Sequence, residues 1–248
     1  MAMMEHEDWS GMFVTLGAID KAGHMWGAYH DEGATGPSDP TAGTHVPDAA
    51  RIADEQLGRL VQKLRDLGQL DDTLIVLTAD HGATYGRTFL GSTAKGAGDA
   101  NWVYGETVND GPSFDPSPAL APLVATGNVQ LSYQSTSIQT WLKDASPPKQ
   151  AEAVAALRSL PGAMVVYVRD GAGYRPVWRD EMSRSERHWW RRHSQEIVDT
   201  MAGPSGPDTV TLLHDETTYS VLGDHGSASE NDQRIPIVFW SSGMRRGR

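Results

Sequence analysis

An α/β fold is predicted by three features of the first third of the chain. These are a buried-strand pattern over residues 12–19, a long amphipathic helix opening near Pro47, and a second apolar run over residues 73–79. Strand, helix and strand with short connections make a βαβ unit. Residues 12–19, Met-Phe-Val-Thr-Leu-Gly-Ala-Ile, end at Asp20, and a Gly, Pro, Ser, Asp and Thr-rich loop runs from Gly33 to Gly43. Pro47 suits a first helical turn, where its missing N–H costs nothing. Ala49, Ala53, Leu57, Leu60, Leu64 and Leu67 then recur every three or four residues, and Gly68 supplies the stop. Residues 73–79, Thr-Leu-Ile-Val-Leu-Thr-Ala, have the continuous apolar character of a strand buried on both faces of a parallel sheet.

Residues 86–128 are rich in Gly, Pro, Asp and Ala. They are expected to form an insertion of loops beside a strand end, with a short hairpin near Trp102 and Tyr104. Residues 136–144 and 149–160 read as helices, 163–168 as a strand, and 183–201 as a helix carrying Trp189, Trp190, Ile197 and Val198. A strand is expected within 209–213, and a last buried strand over 235–240.

Composition narrows the chemistry. Of 248 residues, 39% are hydrophobic and 21% charged, which supports a sizeable core and excludes global disorder. The formal charge of −11 disfavours general nucleic-acid binding, because an acidic surface repels phosphate backbones. Zero cysteines exclude disulfides, thiolate zinc sites, iron–sulfur clusters and cysteine nucleophiles together. No apolar run is long enough for a membrane span. The opening residues are acidic and lack the regions of a signal peptide, which leaves localisation open.

Nine histidines direct attention to metal chemistry. Asp20-Lys-Ala-Gly-His24 places a carboxylate and an imidazole four residues apart, on one face of a helical turn. Thr78-Ala-Asp80-His81-Gly82 stands where the chain leaves an apolar strand, and Gly223-Asp224-His225-Gly226 precedes the final one. Ligand sites of α/β sheets lie at such strand ends. Each piece alone has an ordinary structural explanation; the three in this order point to a cation site. Oxygen and nitrogen donors without sulfur suit zinc, and also manganese or iron.

The same segments, with Val14-Thr-Leu-Gly-Ala-Ile before Asp20 and Asp71-Asp-Thr-Leu-Ile-Val-Leu before Thr78, resemble the alkaline phosphatase superfamily, in particular its type I phosphodiesterase/nucleotide pyrophosphatase branch. The resemblance implies one alkaline-phosphatase-like metallohydrolase domain over residues 1–248, with a mixed β-sheet, helices on both faces, and two divalent metal ions. It implies that Asp20, His24 and His225 hold one ion, and that Asp80 and His81 help to hold the other. The implied reaction is hydrolysis of small phosphoric esters, with phosphodiesters or nucleotide pyrophosphates favoured. Other superfamily hydrolases, acting on phosphomonoesters, phosphonates or sulfate esters, and a non-catalytic metal-binding remnant are the alternatives. Two cations roughly 4 Å apart suit this chemistry because they clamp both the attacking and the leaving oxygen.

The resemblance also calls for a further aspartate ligand and a Thr or Ser nucleophile ahead of the first segment. Ser10 and Thr15 do not stand in that context. The catalytic nucleophile is therefore unassigned, and the chain is expected to be the C-terminal portion of a longer enzyme, impaired alone. Elsewhere, Lys21 is expected in solvent, and His214 with Asp215 as a strand-end histidine bonded to backbone. The four arginines and two tryptophans of 184–193 are expected on an amphipathic helix with partly buried rings rather than on a phosphate-binding patch. His30 and His45 read as solvated loop residues, and Asn231, Gln233 and Arg234 as pocket-shaping candidates.

Overall fold

The computed structural model describes residues 2–6, 8–26, 45–85, 88–89, 120–179, 184–214, 217–219 and 223–244. Helices α1 (Ala2–His6), α2 (Ala18–Trp26) and α3 (His45–Asp66) precede a short 3₁₀ turn and strand β1 (Ile75–Thr78). Two-residue strands β2 (Thr84–Tyr85) and β3 (Thr88–Phe89) follow, then α4 (Ala121–Val124). Next come β4 (Val129–Gln134), β5 (Ser137–Leu142), α5 (Pro147–Arg158), β6 (Ala163–Asp170) and β7 (Gly173–Trp178). Helix α6 (Arg184–Asp199), β8 (Thr209–Leu213), β9 (Thr217–Thr218), β10 (Gly223–Asp224), α7 (Glu230–Gln233) and β11 (Ile237–Trp240) complete the order.

Strand β6 opens with six consecutive buried residues, so both of its faces are covered. It lies inside a five-stranded sheet of order β4-β5-β8-β6-β7, every pair antiparallel. On one face Val166, Val168 and Leu213 pack with Ile138, Leu142 and Tyr219 against α4 and α5, through Leu123, Ala153 and Leu157. On the other, Met164, Val165, Tyr167, Val210 and Leu212 meet Trp190 and Val198 of α6. Met164 and Val165, adjacent in sequence, share this face because the register of β6 against β8 shifts between Ala163 and Val165. The hairpin from β6 to β7 turns at Gly171, whose φ of 61° a side chain would resist. Helix α5 starts on Pro147 and Pro148, where the first amides need no partner.

The α/β class and the helices on both faces stand; several elements differ from expectation. Residues 12–16 form no strand, 11–19 are all exposed, and Phe13 is 90% exposed. Asp20 consequently sits in the first turn of α2 instead of at a strand end. The strand over 75–78 does form, but its partner is β11, antiparallel, and no parallel neighbour flanks it among the described residues. Neither strand is buried: Val76, Leu77, Val238, Phe239 and Trp240 are between 42% and 54% exposed. Alternate residues of a strand face opposite ways, so both faces of this pair stand open. Residues 137–142, expected as helix, are strand β5, because Ser137, Ile138, Gln139 and Thr140 pair with β8. Strands β4 and β7 were not expected at all. The helix at α3, the 149–160 helix and the strands at 163–168 and 209–213 form close to their predicted places. Gly68 ends α3 with φ 67°, its amide bonded to the Arg65 carbonyl. The loop from 33 to 43, the hairpin near 102–104, His30 and Asp215 lie outside the described residues, as does most of the expected insertion at 86–128.

Candidate metal centre

Helix α2 delivers the first two donors as the four-residue spacing requires. Asp20 is in its first turn and His24 in its last, and His24 Nε2 lies 3.1 Å from Asp20 Oδ1. His24 is only 3% exposed. Its Nδ1 is 2.7 Å from the Gly223 carbonyl, which can only accept, so Nδ1 carries the hydrogen. Burial holds this imidazole below its ordinary pKa, against the opposing pull of the Asp20 charge and the Gly223 hydrogen bond. A neutral ring with its proton on Nδ1 turns an Nε2 lone pair toward a carboxylate oxygen.

The Gly223–Gly226 segment brings the third donor. Strand β10 pairs antiparallel with β2, placing Asp224 opposite Thr84, and His225 follows directly. His225 Nε2 is 3.4 Å from the same Asp20 Oδ1. Its imidazole is held down to about 4, by burial first and then by His81 and His24, with Asp20 and Asp80 opposing. Asp20 is itself held below the usual carboxylate range: burial raises it, but Lys21 at 2.9 Å, His24 and His225 outweigh that. Lys21 thus spends its charge on Asp20 while its side chain remains mostly exposed.

His81 joins the same cluster. Its ring stacks on His225 with centroids 3.6 Å apart, and its Nδ1 is 2.7 Å from the Gly82 carbonyl, which assigns the ring proton to Nδ1 and makes Nε2 the ligand nitrogen. Asp20, His81 and His225 can each offer a ligand atom within 4.8 Å of the others, and so can His24, Asp224 and His225. Asp80 stands at the margin: its Oδ1 is 3.7 Å from His81 Nε2 and its side chain is 83% exposed. Sequence reasoning missed Asp224, which is 5% exposed and accepts the His225 amide at 2.9 Å. It was visible inside the quoted motif, but a carboxylate next to a histidine gave no sign of facing inward.

The donor types suit a divalent cation, and the trios whose ligand atoms converge are Asp20, His81 and His225 and His24, Asp224 and His225; Asp20, His24 and His225 do not converge as one trio. One carboxylate oxygen faces two imidazole nitrogens at 3.1 and 3.4 Å. A tetrahedral ion with bonds of about 2.0 Å separates its ligand atoms by about 3.3 Å.

The other singled-out residues have structural roles. Trp190 is buried in the core, and Trp189 Nε1 donates to the Ala228 carbonyl at 3.1 Å, so the tryptophans of α6 are packed inward and no stacking patch forms from them. His214 ends β8 with its amide on the Gly162 carbonyl, and half-buried His45 opens α3.

Fold and cluster together define an α/β protein that gathers imidazoles and carboxylates at the junction of α2, β10 and the turn after β1. The chain belongs to the type I phosphodiesterase/nucleotide pyrophosphatase family, whose sequence profile matches residues 1–228. Among solved structures it is similar to human ectonucleotide pyrophosphatase/phosphodiesterase 5, at 16% identity and a TM-score of 0.46, covering 92% of this chain and 46% of that one. The murine ectonucleotide pyrophosphatase/phosphodiesterase 5 is similar at 17% identity and a TM-score of 0.46, covering 88% and 44%. The chain thus spans less than half the length of either. No curated protein matches the sequence. No helix among the described residues is long and apolar enough to cross a membrane.

Proposed function

We propose that this chain carries the metal-binding part of a phosphoric ester hydrolase that acts on small phosphodiesters or nucleotide pyrophosphates. The observation that carries the reading is the single Asp20 oxygen lying between His24 Nε2 and His225 Nε2. Asp20, His24 and His225 are the residues proposed to hold one ion, zinc being the best match to their nitrogen and oxygen donors, with manganese or iron as alternatives. Asp80 and His81 are proposed as contributors to a second. Bound there, divalent cations supply the positive field that binds a phosphoryl group and lowers the cost of charge on attacking and leaving oxygens.

The remaining chemistry belongs to the side chains. The Gly223 carbonyl fixes the tautomer of His24, and the Gly82 carbonyl that of His81, so each presents Nε2. Lys21 holds Asp20 ionised, which keeps its oxygen a strong donor. Asp224, bonded to the His225 amide, orients the loop that carries His225. Among the described residues no hydroxyl is assigned as the attacking group. The proposal therefore includes an incomplete second-ion site, and poor turnover by these 248 residues alone.

The test is zinc-dependent binding and hydrolysis of bis(p-nitrophenyl) phosphate by the purified chain. The reading predicts binding that requires zinc, with hydrolysis no faster than in the His225→Ala variant. Absence of zinc-dependent binding contradicts the phosphoester reading. Hydrolysis clearly above the variant contradicts the incompleteness.

A further inference from the structure

The loops bearing His81 and His225 belong to different parts of the chain, and among the described residues they are joined by the two-residue strand pairing of β2 with β10. Yet the two rings are stacked at 3.6 Å. What fixes that separation lies behind them. Asp232, in α7, is 1% exposed. Its Oδ2 accepts the Ser227 amide at 2.7 Å and the Thr136 hydroxyl at 3.2 Å, and its backbone carbonyl accepts the Gly82 amide at 2.7 Å. One buried residue thus ties together the turn after His81, the turn after His225 and the tip of the β4–β5 hairpin. Its own amide is anchored on Ser229 Oγ at 3.1 Å, the N-cap of α7.

The hairpin tip adds two more ties in the same direction. Ser135 Oγ donates to the His225 carbonyl at 3.2 Å, and Ser137 Oγ to the Gly226 carbonyl at 3.0 Å. Close approach is enforced at Gly82, where a Cβ would stand 1.8 Å from the Asn231 carbonyl oxygen. The hairpin belongs to the five-stranded sheet, so the loops take their positions from the rigid core of the molecule.

Resting on the cation site proposed above, we propose that Asp232 is a positioning residue, locking the two histidine loops to the Ser135, Thr136 and Ser137 tip and so setting the spacing of His81 and His225. It acts through the backbone of Gly82 and Ser227. Because a single oxygen, Oδ2, accepts the bonds from Ser227 and Thr136, an asparagine carbonyl in its place can accept those two as well. An alanine can accept neither.

The experiment loads the full chain with cobalt(II) and records visible absorption, alongside zinc affinity by competition with a chromophoric chelator. Outer residues that orient ligands are worth about 10–100-fold in metal affinity. Asp232→Ala is expected to lose zinc affinity in that range and to change the cobalt spectrum. Asp232→Asn is expected to restore both to near the wild-type values. Should Asp232→Ala fail to fold, Thr136→Val removes one of the two bonds with little change of shape, and is expected to weaken zinc two- to tenfold. Wild-type spectrum and affinity in the folded Asp232→Ala variant, or in Thr136→Val where alanine does not fold, overturns the proposal, as does an asparagine variant as impaired as alanine. If the wild-type chain itself takes up no cobalt or zinc, the cation-site reading fails instead, and the two failures are distinguishable.

Discussion

Position 225 couples protonation to folding. With its imidazole held down to about 4 by burial and by the neighbouring His81 and His24, His225 stays neutral in the folded chain while the unfolded chain protonates near 6.5. The folded state therefore binds fewer protons between those values. Its contribution is fully present above pH 6.5, declines as pH falls, and is gone below about 4. His24, lowered mainly by its own burial, acts in the same direction. The metal-free chain should accordingly lose on the order of 2 kcal/mol between pH 7 and 4.5. Urea midpoints for the wild type and a His225→Gln variant at the two values check this: the variant should show the smaller drop, and equal drops contradict it. The proximity of Asp20, His24, His81 and His225 was legible at this scale, because helical spacing and glycine-flanked histidines are local patterns. Asp232 was not, since its partners stand at positions 82, 136 and 227, far from it or reached only through backbone atoms.

Among the elements, α5 shows how the sheet is held. Leu157 is fully buried and packs in the cluster formed with Ile138, Val166 and Leu213. Leu157→Ala should cost about 2–5 kcal/mol by lost transfer energy and the cavity left behind, read as a lowered denaturant midpoint at unchanged slope. A loss under about 1 kcal/mol would mean that α5 is not seated on the sheet as described. The strong periodicity of α3 and the apolar run of β6 were legible, and α5 and β8 were placed closely although α5 has little amphipathic pattern and β8 alternates Thr with apolar residues. Residues 137–142 were not: Ser-Ile-Gln-Thr-Trp-Leu carries no decisive period, and pairing with β8, some 70 residues away, makes it a strand. Residues 12–19 erred the other way. An apolar run states that burial is favourable, but it does not supply the neighbour strand that would make a ladder.

Among the described residues, the well-covered core lies around the five-stranded sheet, while large apolar residues of β1, β11 and 12–19 are exposed. Large exposed apolar residues on both faces of a strand pair are unusual for a free surface. The histidine cluster is tied to the covered core through the β4–β5 hairpin. The net charge of −11 includes Asp20, Asp80 and Asp224, carboxylates at or beside the cluster whose repulsion a cation would relieve. The central claim is that Asp20, His24 and His225 form a cation site, and zinc titration of the metal-free chain tests it most directly. The account predicts about one firmly bound zinc per wild-type chain, and an affinity lower by at least about a hundredfold in the folded His225→Ala variant. Equal zinc stoichiometry and affinity in the two proteins would contradict it.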